Sequence, residues 1–432
     1  MLSTIINACL MVLLSVGILY AQQLPPLEKY EGPIKPGITL TQDNWDRFLP
    51  DLKKLLPPSK VKWYELGVKK GKVTVPIVER KDTIGFPKAH YDASLKNEGK
   101  AKIDPQTHGL LNWEGGVPFP HPKNAWELLW NNNTQIASAT SSDDLRFYSW
   151  FGLFDKDKFD KHFSWLNQER KYQNRVVMKP LGNMEAFTKY GIMRKGTILI
   201  TEPQDVRGFI LLRHQFWSMT KDDEVYSYIP ALKRIRRLTG ADTVDPLLGS
   251  DAIPDDFEVM QQKLTPQMTV KVIGHKEMLV PRHYIGWLDE DPKIRPKYDK
   301  DKHGPCYPAE WEIRPQWILE VSINDKNYVY SKRVLYVDAI PIEQGGWVGN
   351  PYWGEQYDQA GKLWRANGLA AVSGNPLGFK MLYGWMFMDY LKDHYTLMDG
   401  YSSYEVRKEF EKVFPLNDAE AFTIKGLLEK AR

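Results

Sequence analysis

The stretch EVYSYIPALKRIRRLTG, residues 224–240, passes from alternating aromatic residues to a cluster in which four of five residues are basic. Its first six residues show the period of two that is typical of a β-strand, and the Pro–Ala pair that follows favours a turn. A helix over the basic part would spread the charges around its circumference and leave only Leu232 and Ile235 to bury. The stretch therefore predicts two antiparallel strands joined by a short turn.

Similar alternating runs follow one another from about residue 143 to residue 346, separated by turn residues. In the clearest run, residues 309–321, the odd positions carry Ala, Trp, Ile, Pro, Trp, Leu and Val, while most even positions carry charged or amide side chains. This alternation predicts a strand with one buried face and one solvated face. Short strands at such regular spacing are typical of an antiparallel meander.

The first 21 residues form an apolar, uncharged run that ends in Ala21 and is followed by the polar, proline-rich QQLPPLEKYEGP. This pattern predicts a cleavable signal peptide and an exported, soluble protein, although the run also approaches the ~18 residues of a membrane anchor. Cleavage removes Cys9 and leaves Cys306 as the only cysteine, so no internal disulfide can form. The fold must then be stabilised by its hydrophobic core.

Helical periodicity is confined to the two ends of the exported chain. TQDNWDRFLPDLKKLL, residues 41–56, has apolar residues at three- and four-residue spacing and predicts one helix with a kink at Pro50. Two amphipathic segments near the C terminus, with Ser403 and Asn417 as N-caps, predict two further helices.

Several ordered motifs together resemble one known family. They are ILITEPQDVRGFILLRHQ (198–215), residues 224–257, RPQWILEVSINDKNYVYSKRVLYVDAIP followed by YDQAGKLWRANG (314–341 and 357–368), and LNWEGGVPFPHPKNAWELLWNNN (111–133). The family is an uncharacterised group of bacterial envelope proteins, described as outer-membrane lipoprotein-sorting-like and similar in fold to the LolA and LolB lipoprotein carriers. The resemblance spans most of the exported chain.

The resemblance implies a mainly β, α+β fold: a curved, incompletely closed antiparallel β-barrel with a helical cover and C-terminal helices, enclosing an apolar cavity for a lipid. Pro203, Arg207 and Gly208 would form a turn motif, residues 228–237 the strand pair, and residues 249–251 a turn into the covering helix. The predicted parts of the chain are the signal peptide (1–21), an N-terminal extension with one helix and irregular segments (22–142), the barrel (143–372), and a C-terminal strand with helices that pack on the barrel (373–432).

The resemblance also implies a location and partners. The location is the periplasm of a Gram-negative envelope, and the partners are an inner-membrane transporter of the resistance-nodulation-division type and an outer-membrane protein. The chain is longer than the simplest carriers and has an extended N-terminal region, so the identity of the cargo stays open.

Apolar side chains in the predicted strands are candidates for the lining of a lipid cavity. Rigid ring faces suit disordered acyl chains because the contact is non-directional, but a packed core would need the same residues. Periodicity alone favours the core, and the family resemblance is what supports the cavity. The candidate residues are Phe209, Leu211, Trp217, Tyr226, Tyr228, Trp311, Trp317 and Leu319.

The basic cluster offers a candidate for headgroup or surface contact, at Arg234 and Arg236, since guanidinium groups bind phosphate oxygens. A solvated strand face is the alternative interpretation. Nucleic acid is not expected as a partner, because 58 Lys and Arg residues stand against 54 Asp and Glu residues and the protein is exported.

Catalytic chemistry has one weak candidate, the carboxylates of Glu310 and Glu312 on one strand face, which suggest glycoside hydrolysis. Alternation on a solvated face produces the same spacing. The acids Asp251, Asp255 and Asp256 lack the spacing of an EF-hand, and the chain has no HExxH, CxxC or GxSxG motif. We therefore predict no catalytic residue, metal or cofactor. The leading hypothesis is a non-enzymatic lipid-binding protein, and the alternatives are an envelope glycan hydrolase and a structural envelope protein.

Overall fold

The computed structural model describes residues 24–81, 85–134, 143–238, 244–283, 299–374, 380–400 and 422–430. The predicted signal peptide and the first predicted C-terminal helix lie outside these residues. None of the helices in the described ranges is both long and apolar enough to cross a lipid bilayer.

β-Strands are the main regular structure of the described residues. Four are two-residue strands of the N-terminal region: β1 (Thr39–Leu40), β2 (Val75–Pro76), β3 (Lys102–Ile103) and β4 (Leu110–Leu111). The long strands are β5 (Asp144–Asp155), β6 (Lys158–Lys171), β7 (Ile192–Glu202), β8 (Ile210–Phe216), β9 (Glu224–Ile229), β10 (Arg234–Leu238), β11 (Thr269–His283), β12 (Glu310–Ser322), β13 (Lys332–Asp338), β14 (Pro351–Tyr357), β15 (Leu363–Gly374), β16 (Lys380–Asp389) and β17 (His394–Gly400).

The described helices are short. They are α1 (Trp45–Leu55), α2 (Pro58–Val68), α3 (Lys88–Lys96), α4 (Ala125–Thr134), α5 (Glu185–Thr188), α6 (Lys300–His303) and α7 (Ile424–Lys430). The helix predicted over residues 41–56 is present as α1, and Pro50 lies within it. The sequence predicts a single helix before residue 142, whereas the described residues of that region form four, because the other three lack a clear apolar period.

Strands β5 to β17 form one 13-stranded antiparallel sheet in the order β10-β9-β8-β7-β6-β5-β17-β16-β15-β14-β13-β12-β11. The sheet is open, with β10 and β11 at its edges, and it curls until β11 contacts β15. This confirms the predicted curved, incompletely closed antiparallel barrel. The sequence predicts one strand after residue 372, but both β16 and β17 belong to the sheet, since β17 pairs with β5.

The strand pair predicted from residues 224–240 is confirmed. Strands β9 and β10 pair antiparallel, with Tyr228 opposite Ile235, and a 3-10 turn at Pro230–Leu232 joins them. Lys233 closes this turn with a left-handed backbone, at φ 48°. The predicted turn motif that ends in Gly208 also lies in a turn, between β7 and β8.

Strand β12 differs from the prediction of one buried and one solvated face. Glu312, Arg314 and Gln316 on its supposedly solvated face are all buried. Both faces are covered because α1 and α2 pack on one side of this part of the sheet, while the chain that precedes β11 packs on the other.

Helices α1 and α2 form an apolar layer on the outer face of the sheet. Two rings of α2 pack edge to face on rings of the strands. The ring centroids of Tyr64 and Trp311 are 4.6 Å apart, and those of Trp63 and Trp353 are 5.8 Å apart. Lys60 is buried in this layer, with its ammonium 4.9 and 4.8 Å from the ring centroids of the same two strand tryptophans. Burial lowers the pKa of Lys60 to about 7.

Candidate functional site

The segment of residues 244–268, which we call the plug, leads from edge strand β10 to the opposite edge strand β11 and lies against one face of the sheet. We call this face the inner face. The plug contains two 3-10 turns, Leu247–Gly249 and Pro254–Asp256, and no strand or α-helix. The covering helix expected after residues 249–251 is replaced by irregular chain, and the left-handed backbones of Glu258 (φ 52°) and Val259 (φ 68°) prevent the 3-10 turn at Pro254 from continuing as a helix.

The plug buries apolar side chains against aromatic rings of the inner face. The ring centroid of Phe257 lies 5.7 Å from that of Trp165, 5.6 Å from that of Phe387 and 6.4 Å from that of Phe151. Burying one side chain of this size contributes about 1.5–3 kcal/mol. The plug residues that share this core are Leu247, Ala252, Ile253, Val259, Met260, Leu264 and Met268.

Asp256 anchors the middle of the plug. Its carboxylate accepts hydrogen bonds from Arg333 at 2.6 Å and from the hydroxyl of Tyr330 at 2.8 Å, and all three side chains are buried. Burial alone would lower the pKa of Arg333, but the charge of Asp256 raises it above its usual value. Neighbouring Asp255 accepts a hydrogen bond from Tyr328 at 2.8 Å.

Asp251 anchors the start of the plug to β17. Its carboxylate lies 2.8 Å from His394 Nδ1 and accepts the hydroxyl of Thr396 at 2.8 Å, while its backbone N–H donates to the same hydroxyl at 2.9 Å. The hydrogen bond to Asp251 raises the pKa of His394, against an opposing effect of burial. Asp251, Asp255 and Asp256, which lack the spacing of an EF-hand, thus each bind different partners. No group of three metal-ligating side chains is found among the described residues.

A charged cluster joins the end of the plug to β7 and β8. Arg213 forms an ion pair with Asp223 at 2.9 Å and donates to the carbonyl of Gln261 at 3.0 Å. Arg194 lies 3.5 Å from Glu169. The inner face is therefore apolar in its middle and charged towards β8.

Four of the predicted ligand-binding residues belong to the apolar core of the inner face: Phe209, Trp217, Trp317 and Leu319. Trp217 stacks on Trp113 with ring centroids 5.5 Å apart. Leu211 is buried and shares its side of β8 with Arg213, which contacts the plug. The ligand-binding role of these residues stays a prediction.

Three other predicted residues lie elsewhere. Tyr226 and Tyr228 pack with Ile210 on the opposite face of the sheet, because the alternation of β9 turns their side chains away from the plug. Trp311 packs with the outer helical layer and not with Trp317, since the two ends of β12 meet different layers. The eight candidates therefore do not all lie on one face of the sheet, and the ligand-binding role of Tyr226, Tyr228 and Trp311 also stays a prediction.

The candidates for headgroup contact and for catalysis have different surroundings. Arg234 and Arg236 are exposed on edge strand β10. Glu312 is buried and contacts His283 at 2.6 Å and Arg314 at 2.7 Å, while Glu310 is half-buried. Burial would raise the pKa of Glu312, but the hydrogen bond to His283 and the charge of Arg314 hold it below its usual value. Glu310 and Glu312 therefore do not form the solvated carboxylate pair that the sequence suggested.

The plug packs against the apolar middle of the inner face, and Trp130 of α4 packs near Trp217 in the same core. A cavity between Trp130, Trp217 and Leu264 has a volume of about 10 Å³, which is room for one water molecule. In this structure the plug lies where the sequence predicts an open apolar cavity. Sequence reasoning missed Arg213 and Arg333 as anchors, although an arginine within an apolar strand is the signal that points to a buried charged partner.

A family described as Protein of unknown function (DUF1329) matches residues 39–427 of this chain. The chain belongs to the DUF1329 family. This match confirms the predicted membership of an uncharacterised family. The DUF1329 chain is also similar to the uncharacterized protein PA3922 of Pseudomonas aeruginosa, at 24% identity over 347 residues that cover 77% of this chain and 68% of that protein.

Three solved structures are similar to the DUF1329 chain in fold. A DUF1329 family protein from Desulfovibrio piger has 14% identity and a TM-score of 0.45, covering 69% of this chain and 96% of its own. A domain named for outer membrane lipoprotein sorting from Vibrio parahaemolyticus has 15% identity and a TM-score of 0.44, covering 66% and 91%. The LolA superfamily protein NE2245 from Nitrosomonas europaea has 14% identity and a TM-score of 0.39, covering 64% and 91%.

Proposed function

We propose that this DUF1329 protein binds a lipid or another hydrophobic ligand on the inner face of its sheet, in the place that the plug occupies. The observation that carries the proposal is the cover of that face. The rings of Phe151, Trp165 and Phe387 on that face are covered by Phe257 of the irregular plug, whereas Trp130 of helix α4 packs near Trp217 in the same core. A segment without regular backbone hydrogen bonds leaves a surface at a lower cost than a packed helix does.

The free energy gained by burying an acyl chain is comparable to the free energy lost when anchors of the plug separate. An acyl chain with about 14 methylene groups gains roughly 11 kcal/mol when it leaves water for an apolar surface, at ~0.8 kcal/mol per group. Separating a buried ion pair such as Arg333–Asp256 costs about 3–5 kcal/mol. One long acyl chain therefore offsets the loss of one or two anchors, provided that the apolar side chains of the plug, which contribute about 1.5–3 kcal/mol each, stay buried against the ligand.

The proposed role is carriage of the ligand across the periplasm, without catalysis. A membrane buries an acyl chain as well as the protein does, so directional delivery needs a partner that moves the plug. As partners we propose an inner-membrane transporter of the resistance-nodulation-division type and an outer-membrane protein, which the family resemblance implies.

A disulfide that fixes the plug tests the proposal. Asp251 and Thr396 approach closely enough to exchange hydrogen bonds, so cysteines at both positions are placed to form a disulfide. Cys306 will not compete, because burial raises the pKa of its thiol to about 12. The assay measures binding of a fluorescent palmitate analogue to the double variant before and after reduction, beside native mass spectrometry of wild-type protein from its own envelope.

We expect the wild-type protein and the reduced double variant to bind the probe, and the oxidised double variant to lose binding until it is reduced. The single variants Asp251→Cys and Thr396→Cys are the controls, since each loses the anchor without gaining the disulfide. Equal binding by the oxidised and reduced double variant would show that the ligand does not replace the plug. An absence of bound lipid in every form would refute the proposed function.

A further inference from the structure

The hairpin of β9 and β10 presents basic and apolar side chains together at one edge of the sheet. Its tip is the 3-10 turn Pro230–Leu232, and the basic cluster follows directly in β10. We call the segment of residues 230–238 the basic tip.

The charges of the basic tip are available to a partner. Lys233, Arg234, Arg236 and Arg237 are all exposed. Among the described residues, one ion pair involves these four side chains, between Arg237 and Glu224 at 3.6 Å. An exposed pair at this distance contributes little.

Two apolar side chains are exposed beside these charges: Leu232 at the turn, and Ile235 on the same face of β10 as Arg237 and on the opposite face from Arg234 and Arg236. Leu232 at the turn is 58% exposed and Ile235 in β10 is 40% exposed. Other large apolar side chains are as accessible, among them Leu181, Tyr190 and Ile273, but Leu232 and Ile235 lie within the basic cluster. Because the turn projects Leu232 beyond the last strand, an apolar partner must approach the tip from outside the sheet.

We propose that the basic tip docks this protein on the surface of an anionic lipid bilayer. Basic side chains near such a surface are attracted by its negative potential, and an exposed leucine at a turn enters the boundary between headgroups and acyl chains. A nucleic acid offers the charge without an apolar layer for Leu232.

Vesicle sedimentation tests the docking. The wild-type protein is mixed with vesicles of phosphatidylglycerol and phosphatidylcholine, or of phosphatidylcholine alone, at low and at moderate salt. The double variant Arg234→Gln, Arg236→Gln removes two charges while it keeps the side-chain length. Each basic side chain near an anionic surface contributes about 1 kcal/mol, so the double variant should bind the anionic vesicles roughly 30-fold more weakly.

The matched control is Lys53→Gln, Lys54→Gln, which removes the same number of charges from exposed positions of α1. It should bind within about twofold of wild type, because at 0.15 M salt charges act over only ~8 Å. Leu232→Ser separates insertion from charge and should weaken binding at both salt concentrations.

Two outcomes would overturn the proposal: no difference between the Arg234/Arg236 variant and wild type, or full competition by soluble glycerophosphoglycerol, which carries the headgroup phosphate without a bilayer. The test is independent of ligand carriage. The oxidised Asp251→Cys, Thr396→Cys protein should still sediment with anionic vesicles, so a failure of docking and a failure of ligand binding are distinguishable.

Discussion

Replacing Lys60 by methionine should stabilise the protein. The side chain lies in an apolar layer between Trp311 and Trp353, and burial lowers its pKa from 10.5 to about 7. A shift of this size corresponds to about 5 kcal/mol of destabilisation of the charged form. Attraction between the ammonium and the two ring faces returns about 2–4 kcal/mol. Methionine has a similar length and no charge, so we expect Lys60→Met to raise the free energy of unfolding by about 1–3 kcal/mol at pH 6.

The pH dependence of this effect has a definite sign. Since the folded pKa of Lys60 lies below the unfolded one, the unfolded chain binds more protons between the two values, and the wild-type protein gains stability as the pH rises from about 7 towards 10.5. The advantage of Lys60→Met should therefore shrink between pH 6 and pH 10 in urea unfolding experiments. Lys53→Met, on the exposed side of α1, is the control and should change stability by no more than about 0.5 kcal/mol. A variant that is less stable than wild type at pH 6, or an advantage that does not change with pH, would refute the reasoning.

Three further predictions concern the buried polar groups. Arg333→Met leaves Asp256 buried and unpaired, and it should lower the free energy of unfolding by about 3–5 kcal/mol in urea titrations, whereas the added change Asp256→Leu should recover part of the loss. Asp251 raises the pKa of His394, so the stabilisation from this pair is fully present below pH 6.5 and is lost as the pH rises through the folded pKa of His394. In thermal unfolding, the difference in stability between wild type and Asp251→Asn should therefore be larger at pH 5.5 than at pH 8.5. The Cys306 thiol, with a pKa of about 12, should resist iodoacetamide at pH 8 in the folded protein and react within minutes in denaturant, as mass spectrometry would show; rapid labelling of the folded protein would contradict its burial.

The parts of the fold that depend on local patterns could be predicted from the sequence. The hairpin at residues 224–240 follows from alternation and a proline turn, and α1 follows from its apolar period. The other strands of the 13-stranded sheet follow from the same alternation of apolar and polar residues, repeated along the chain.

The contents of the candidate site could not be predicted, because they depend on which elements meet in three dimensions. Trp311 and Trp317 lie six positions apart on one strand, yet Trp311 packs with the outer helices and Trp317 packs with the core of the inner face. Likewise, nothing local shows that Asp256 pairs with Arg333, since the two are far apart in the chain. Alternation shows which side chains share a face at one point of a strand, but it does not show which layer covers that face.

The strand order has a consequence for how this protein acquires its native state. Strand β5 comes first in chain order among the strands of the sheet, and it pairs with β17, so that Trp150 is the register partner of Asp399. This pairing can form only after β17 has been synthesised. Pairings between such remote segments slow folding and leave edges exposed to aggregation in the meantime. A polypeptide interrupted before β17 would present two half-sheets with unpaired central edges, and we expect newly made chains to need protection from self-association until their last strand arrives.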